Sequence, residues 1–331
     1  MKNKITVIVV THKTKKNIIY RCLKSINKDV KILLIENSKN FKDEKFFIKK
    51  FKNLKVICSG SNLGMGNGNN YGLSKVKTPF AMVLNPDASC AADFFKNLNK
   101  ILKNTKNFHI IGCLNSINQK EFPAGFFDKH QNFKFKKTIR SKKVRSLTKV
   151  DWVKGYSLII NLRKFRNPKI FDKSYFLYLE EIDLCKSVLK RSGNIYFSHD
   201  LKIKHLGAKG STARSTEEKK ELENLRNWHF MWSSFYFYKK HNNYVYAFLK
   251  MSRKFFSAIF KSLFFLAVYN KKKSLVYFLR FSGICILPAE SNLESIAPLN
   301  KALRNCLDVF SVEGREAIFS DSSNQFFVVS T

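Results

Sequence analysis

The sequence predicts an α/β protein: a mainly parallel sheet flanked by helices, followed by a basic, aromatic and mainly helical extension. Three observations predict it. In the first half, short β-rich runs alternate with helical patterns, as in a sheet whose crossover helices cover its faces. The 331 residues exceed the roughly 250–300 at which one core stops growing, so one full domain plus an appendage is expected. After about residue 226 the composition changes abruptly.

Taken in order, strands are predicted at residues 5–10, 30–35, 56–57 and 80–84. Ile18, Cys22, Leu23 and Ile26 fall at helical spacing after the first of these, and Phe94, Phe95, Leu98, Ile101 and Leu102 do so after the last. In such sheets ligands collect beyond the carboxyl ends of the strands. That rule singles out Thr11, Glu36, the Gly/Asn loop from Asn62, and the turn from Asn85 to Asp87. Residues 115–149 lack a period and carry the basic run Arg140, Lys142, Lys143 and Arg145, which reads first as a solvated charge run, with a mobile acceptor-facing loop as the alternative. A strand at 157–160 follows, then a helix from about Glu180 that stops at Gly193. Leu201, Ile203 and His205 then alternate with Lys202 and Lys204, which puts His205 on the inward side of a strand.

The net charge of +37 narrows the partners to polyanions: phosphates, anionic lipid or nucleic acid. Part of it reflects a composition rich in Lys, Asn, Ile and Phe. Seven scattered cysteines with no Cys-x-x-Cys pair fit reduced thiols in a cytosolic protein. The first strand begins without a signal-peptide pattern, so no export is expected. Between Trp228 and Gly283 there are ten Lys or Arg, no Asp or Glu, and nineteen aromatic residues. No uncharged stretch there approaches the roughly 20 residues that span a bilayer. The segment is expected to lie on an anionic membrane surface, rings in the headgroup boundary and cations against lipid phosphate. Packing of the same aromatics into a helical core is the competing expectation.

Three constellations carry chemistry. SNLGMGNGNNYG, residues 61–72, has glycines spaced to let backbone amides approach a pyrophosphate, yet it fails the dinucleotide pattern because Asn69 and Tyr71 stand where the third glycine belongs. Asn85-Pro86-Asp87 ends an apolar run, where a carboxylate can hold a divalent cation that bridges two phosphates. FLYLEEIDLC, residues 176–185, sets Glu180, Glu181 and Asp183 after an aromatic run, where partial burial would raise carboxyl pKa values toward proton transfer.

The order VIVVTHK, LLIENS, NLGMGNGNNYG, LNPDA, WVKGYSLII, FLYLEEIDLC and IKHLGAKGS resembles the family-2 inverting glycosyltransferases, in particular their rhamnosyltransferase-like branch. The resemblance covers about residues 4–215. It implies a glycosyltransferase-A type nucleotide-binding sheet, a nucleotide-sugar donor (dTDP-rhamnose first, with UDP-sugars beside it), a divalent cation, Mg²⁺ or Mn²⁺, and a glycan or lipid-linked acceptor. By position, Thr11 and Glu36 would border the nucleoside, and Asn62, Gly64, Gly66, Asn69 and Asn70 would shape the donor pocket. Asp87 stands for the last acid of the family's Asp-x-Asp element, Asn85 replaces its first acid, and His205 would complete the metal site. Glu181 occupies the place of the base, with Glu180 and Asp183 beside it.

The organisation expected is a catalytic domain over residues 1–225, a membrane-associating helical segment over 226–284, and a tail over 285–331 with no assigned role. The location expected is the cytoplasmic face of a membrane. Two alternatives are a nucleotidyltransferase, which would release pyrophosphate, and a basic nucleic-acid-binding protein. A binding module does not require candidate residues at strand ends, which argues against nucleic acid as the partner.

Overall fold

Four β-rich runs build the parallel half of the sheet: β1 (Ile5–Thr11), β2 (Lys31–Glu36), β3 (Leu54–Cys58) and β4 (Phe80–Leu84). The computed structural model describes residues 3–117, 123–128, 146–207 and 215–285. All of these fall in a unit spanning Met1–Asn292, and a second unit, Leu293–Thr331, lies outside the described residues together with most of the expected tail. The crossovers are α1 (Lys16–Lys24), α2 (Glu44–Lys50) and α3 (Gly64–Leu73). Every residue of β1 is buried, as expected for a strand covered on both faces. Parallel pairing sets Thr11 opposite Glu36 and Ile5 opposite Phe80.

The second half of the sheet departs from the expected parallel arrangement. After β5 (Ala88–Cys90), α4 (Phe94–Asn104) and β6 (Ile110–Asn115) come β7 (Ala124–Gly125), β8 (Leu147–Val150), β9 (Trp152–Val153) and β10 (Ser157–Asn161). Strand β10 lies antiparallel between β4 and β6. The helix α5 (Glu180–Lys190) then leads to the eleven-residue β11 (Ile195–His205). Strand β11 runs parallel to β6 and antiparallel to β5 and β8, so the main sheet reads β3-β2-β1-β4-β10-β6-β11-β5 with β8 also on β11, and β7 and β9 form a separate pair. The basic run Arg140 to Arg145 lies outside the described residues.

The chain closes with α6 (Thr216–His241), α7 (Tyr244–Ala267) and α8 (Lys271–Cys285). Ser215 and Asn243 start the first two by accepting hydrogen bonds from the amides of Glu218 and Tyr246. The expected boundary at 225/226 falls inside α6. The aromatic segment divides between buried and exposed side chains on different helices. Trp228, Trp232, Phe235, Phe237 and Tyr238 of α6 are buried, whereas Leu249, Phe256, Phe260, Leu263 and Phe264 of α7 are exposed. Among the described residues no helix is long and apolar enough to cross a membrane.

Candidate active site

The segment expected to be a loop from Asn62 is instead helix α3. Gly and Asn are poor helix formers, but here the missing side chains permit close packing. A Cβ on Gly68 would come within 2.8 Å of Val10, one on Gly72 within 2.6 Å of Ile8, and one on Gly64, whose φ is +76°, within 2.3 Å of the Phe176 carbonyl oxygen. Asn62 Oδ1 accepts from the Gly64 amide at 3.2 Å and turns the chain into the helix. Asn70 grips the backbone of Phe171 twice, donating to its carbonyl at 2.8 Å and accepting from its amide at 3.0 Å. Asn67 donates to the Lys173 carbonyl at 2.9 Å, and the Met65 amide donates to Phe176 at 2.9 Å. Gly64, Gly66 and Asn70 therefore form the surface on which the acid-bearing loop rests. Asn69 is buried.

At the carboxyl ends of β1 and β2, the Thr11 hydroxyl donates to Glu36 Oε2 at 2.6 Å and Ser38 donates to Oε1 at 2.9 Å. Burial raises the Glu36 pKa, and these two hydrogen bonds oppose the rise. Sequence reading missed Asn37, whose side chain donates to the Gly64 carbonyl at 2.8 Å and so ties the end of β2 to α3.

At the end of β4 the chain turns through Asn85, whose carbonyl accepts from the Ala88 amide. Pairing of β5 with β11 then sets Ala88 opposite His205, and the Asp87 carbonyl accepts from the Leu206 amide at 3.1 Å. The two residues expected to share a cation consequently meet: His205 Nε2 lies 3.3 Å from Asp87 Oδ1. The Tyr156 ring lies 5.1 Å from that of His205. Among the described residues no three or more His, Cys, Asp or Glu cluster as a full metal site. One carboxylate with one imidazole nevertheless fits a cation that takes its other ligands from phosphate oxygens and water.

The acidic motif opens α5 under strain. Tyr178 and Leu179 have φ of +70° and +65°, a left-handed conformation unfavourable for residues with a side chain. Helix α5 begins directly after this turn, so its first turn carries all three acids, which also suit the positive end of the helix. Glu181 lies over Gly155, where a Cβ would come within 3.2 Å of its own Cβ and Cγ. Residues 155 and 156 thus touch both centres: Gly155 underlies Glu181 and Tyr156 flanks His205.

Burial raises both glutamates, but unequally. Glu180 is pushed up to about 8 by burial and by the charge of Glu181, and its Oε2 has no hydrogen-bond partner. In Glu181 burial is opposed by the Lys154 charge and by its own backbone amide and those of Gly155 and Ile182. Lys154 and the backbone amides thus favour the charged form of Glu181, whereas at Glu180 the charge of Glu181 adds to the effect of burial. Asp183 is placed otherwise. It accepts from Lys240 at 2.7 Å and Tyr175 at 3.3 Å, and pairs with His241 at 2.8 Å, so it joins α5 to the end of α6 and is not a free base.

Residues 6–182, over half the chain, match the family model of Glycosyl transferase family 2. The chain belongs to glycosyl transferase family 2. As a member it is a glycosyltransferase that draws on a nucleotide-sugar donor. Among curated proteins it is 24% identical over 200 residues to rhamnosyltransferase WbbL of Escherichia coli, covering 55% of this chain and 75% of the relative. It is 24% identical over 207 residues to the low-salt glycan biosynthesis hexosyltransferase Agl10 of Haloferax volcanii, covering 59% and 64% respectively. Among solved structures it is similar to the mannosyltransferase PcManGT from Pyrobaculum calidifontis in complex with GDP-Man and Mn²⁺, at 12% identity and a TM-score of 0.47, covering 93% of this chain and 81% of that one.

Proposed function

We propose that this family 2 enzyme transfers a hexose, rhamnose first among the candidates, from a nucleoside-diphosphate donor to a hydroxyl of a lipid-linked or cell-envelope glycan, with inversion. The observation that carries it is the joining of two centres through Gly155 and Tyr156. On one side stand Glu181, over Gly155, and its neighbour Glu180; on the other, buried Asp87 and partly buried His205 meet at strand ends. Glu181 would remove the proton from the acceptor hydroxyl as that oxygen attacks the anomeric carbon. Asp87 and His205 would hold a divalent cation, which when bound supplies charge stabilisation for the departing diphosphate. Asn85 stays at the turn beside them, and Thr11, Glu36, Asn62 and Asn69 remain candidates for contact with the donor.

The test is a donor screen with purified protein, measuring nucleoside diphosphate release from dTDP-rhamnose and the common UDP- and GDP-sugars. Release from at least one donor is expected; none, or pyrophosphate instead, would overturn the reading.

The same proposal places the enzyme on the inner face of a membrane through α7. Leu249, Phe256, Phe260 and Leu263 are 58–72% exposed along one stripe of that helix, and Lys250, Arg253, Lys254 and Lys261 flank it. An apolar stripe edged by cations is the arrangement of an interfacial helix. The protein should pellet with phosphatidylglycerol vesicles and not with phosphatidylcholine, and added salt should weaken the binding. Phe256→Ser with Phe260→Ser should abolish it, and undiminished pelleting of that double variant would sink the assignment of this face.

A further inference from the structure

Beside the strained turn, Tyr178, Glu223, Arg226, Asn227 and Phe230 line an open cleft of about 400 Å³, within the roughly 300–1,000 Å³ of small-molecule sites. Four of the five come from α6, and Tyr178 comes from the turn that starts α5. Its ring meets that of Phe230 edge-on at 5.9 Å. The Lys254 ammonium lies 5.5 Å from the Phe230 ring centre and already occupies that ring, whereas among the described residues the partly buried Tyr178 ring carries no such cation. Asn227 is already engaged, accepting from Arg280 at 3.1 and 3.2 Å and donating to the Glu223 carbonyl at 2.9 Å. Among the described residues, the Glu223 carboxylate and Arg226 guanidinium have no ion-pair partner and the Tyr178 hydroxyl no hydrogen bond.

We propose that this cleft is an acceptor subsite that takes a neutral pyranose ring of the acceptor glycan. The inference rests on the glycosyltransferase reading above and deepens it. The C–H-lined face of a sugar ring suits the negative face of an aromatic ring. Its vicinal hydroxyls, each both donor and acceptor, suit a carboxylate beside a guanidinium. An acid next to the arginine offsets its charge and disfavours a phosphate, which would want the arginine unopposed. The strained turn supplies the link to chemistry: Tyr178 at the cleft is two and three residues from Glu180 and Glu181, and the charges of both Glu180 and Arg226 act on its hydroxyl. Strain held at such a point is what an active-site connection would retain.

Saturation-transfer NMR on the full chain tests this, with methyl α- and β-pyranosides of glucose, galactose, mannose, N-acetylglucosamine and rhamnose as probes. At least one probe should receive saturation on its ring protons. That signal should fall several-fold in Glu223→Gln and Arg226→Gln, both on the outer part of a long helix, and in Tyr178→Ala, with far-ultraviolet circular dichroism confirming the fold. No saturation from any probe, equal saturation in all three variants, or displacement by equimolar inorganic phosphate would overturn the proposal. Nucleoside diphosphate release by the same wild-type preparation keeps the two ideas separable. Release without saturation rejects the subsite alone, whereas saturation without release supports a sugar site and rejects the transferase assignment.

Discussion

Replacing Glu181 by Gln is expected to lower turnover by about 10²–10⁴-fold, the range for loss of a general base, with donor affinity nearly unchanged. The choice between neighbouring acids follows from their surroundings. A base must be ionised when the acceptor arrives. Lys154 and three backbone amides favour the charged form of Glu181, while burial and the Glu181 charge push Glu180 up to about 8. Wild-type turnover should therefore rise with pH through the pKa of Glu181, and Glu181→Gln should lose that limb. Glu180→Gln should keep most of the activity and change the pH dependence of stability. The folded state holds the Glu180 proton above the usual 4.5, so this stability is full below that value and is lost as pH rises through about 8. A permanently neutral Gln cannot lose it, and the melting temperature of Glu180→Gln should overtake that of the wild type toward pH 9. Asp183→Asn completes the set. Removing one partner of a buried ion pair costs roughly 3–5 kcal/mol, less here because Lys240 is partly exposed, so a lower melting temperature is expected ahead of any specific loss of turnover. Kinetics, donor titration and thermal melts of the three variants check this. Near wild-type turnover in Glu181→Gln with collapse in Glu180→Gln would move the base by one residue.

Much of this arrangement was legible before any coordinates. Residues 5–10, 31–35, 80–84 and 157–160 fall in strands because their apolar runs are buried apart from Lys31 and, in part, Phe80, and such runs leave little ambiguity about where a strand lies. The same runs do not encode direction, and the antiparallel insertion of β10 was missed for that reason. His205 and Asp87 were each found from strand-end logic, but their contact depends on pairing between β5 and β11, which no local pattern reveals. Helix α3 was misread because Gly and Asn signal turns; the reason for them is the proximity of Val10, Ile8 and Phe176, visible only in three dimensions. Asp183 was grouped with the two glutamates by spacing alone. Its partners Lys240 and His241 lie nearly sixty residues away, beyond the reach of any motif.

Those long-range partners tie the extension to the catalytic chemistry. Asp172 and Asp183 share Lys240, at 2.6 and 2.7 Å, and Tyr236 donates to Asp172 at 3.1 Å. Ser233 donates to the Leu177 carbonyl at 2.8 Å, and Trp228, Trp232 and Tyr236 stack along the same face of α6. The loop preceding the acids is therefore held by α3 on one side and α6 on the other. Clamping from two helices explains how two consecutive left-handed residues persist at Tyr178 and Leu179.

Replacing Asp87 by Ala is expected to have an effect of similar size to loss of the base, for a different reason. Charge stabilisation by a bound cation is worth several kcal/mol, or about 10²–10³ in rate at 1.36 kcal/mol per tenfold. Asp87 is the one carboxylate at the end of β4, since Asn85 stands where a second acid would be, so losing it leaves His205 alone to anchor the ion. The variant should also lose the cation's contribution to donor affinity, a readout independent of turnover. Titration calorimetry of the donor with and without Mn²⁺ should show metal-enhanced binding in the wild type and none in Asp87→Ala. His205→Ala should show a smaller deficit of the same kind, because it removes a neutral ligand and leaves the carboxylate. Excess chelator should reduce wild-type turnover toward that of Asp87→Ala while adding little to the variant's own defect. Full wild-type activity in excess chelator would remove the cation from the reaction. In that case Asp87→Ala would still be informative: a loss of turnover without any metal dependence would assign the Asp87–His205 pair to direct contact with the donor.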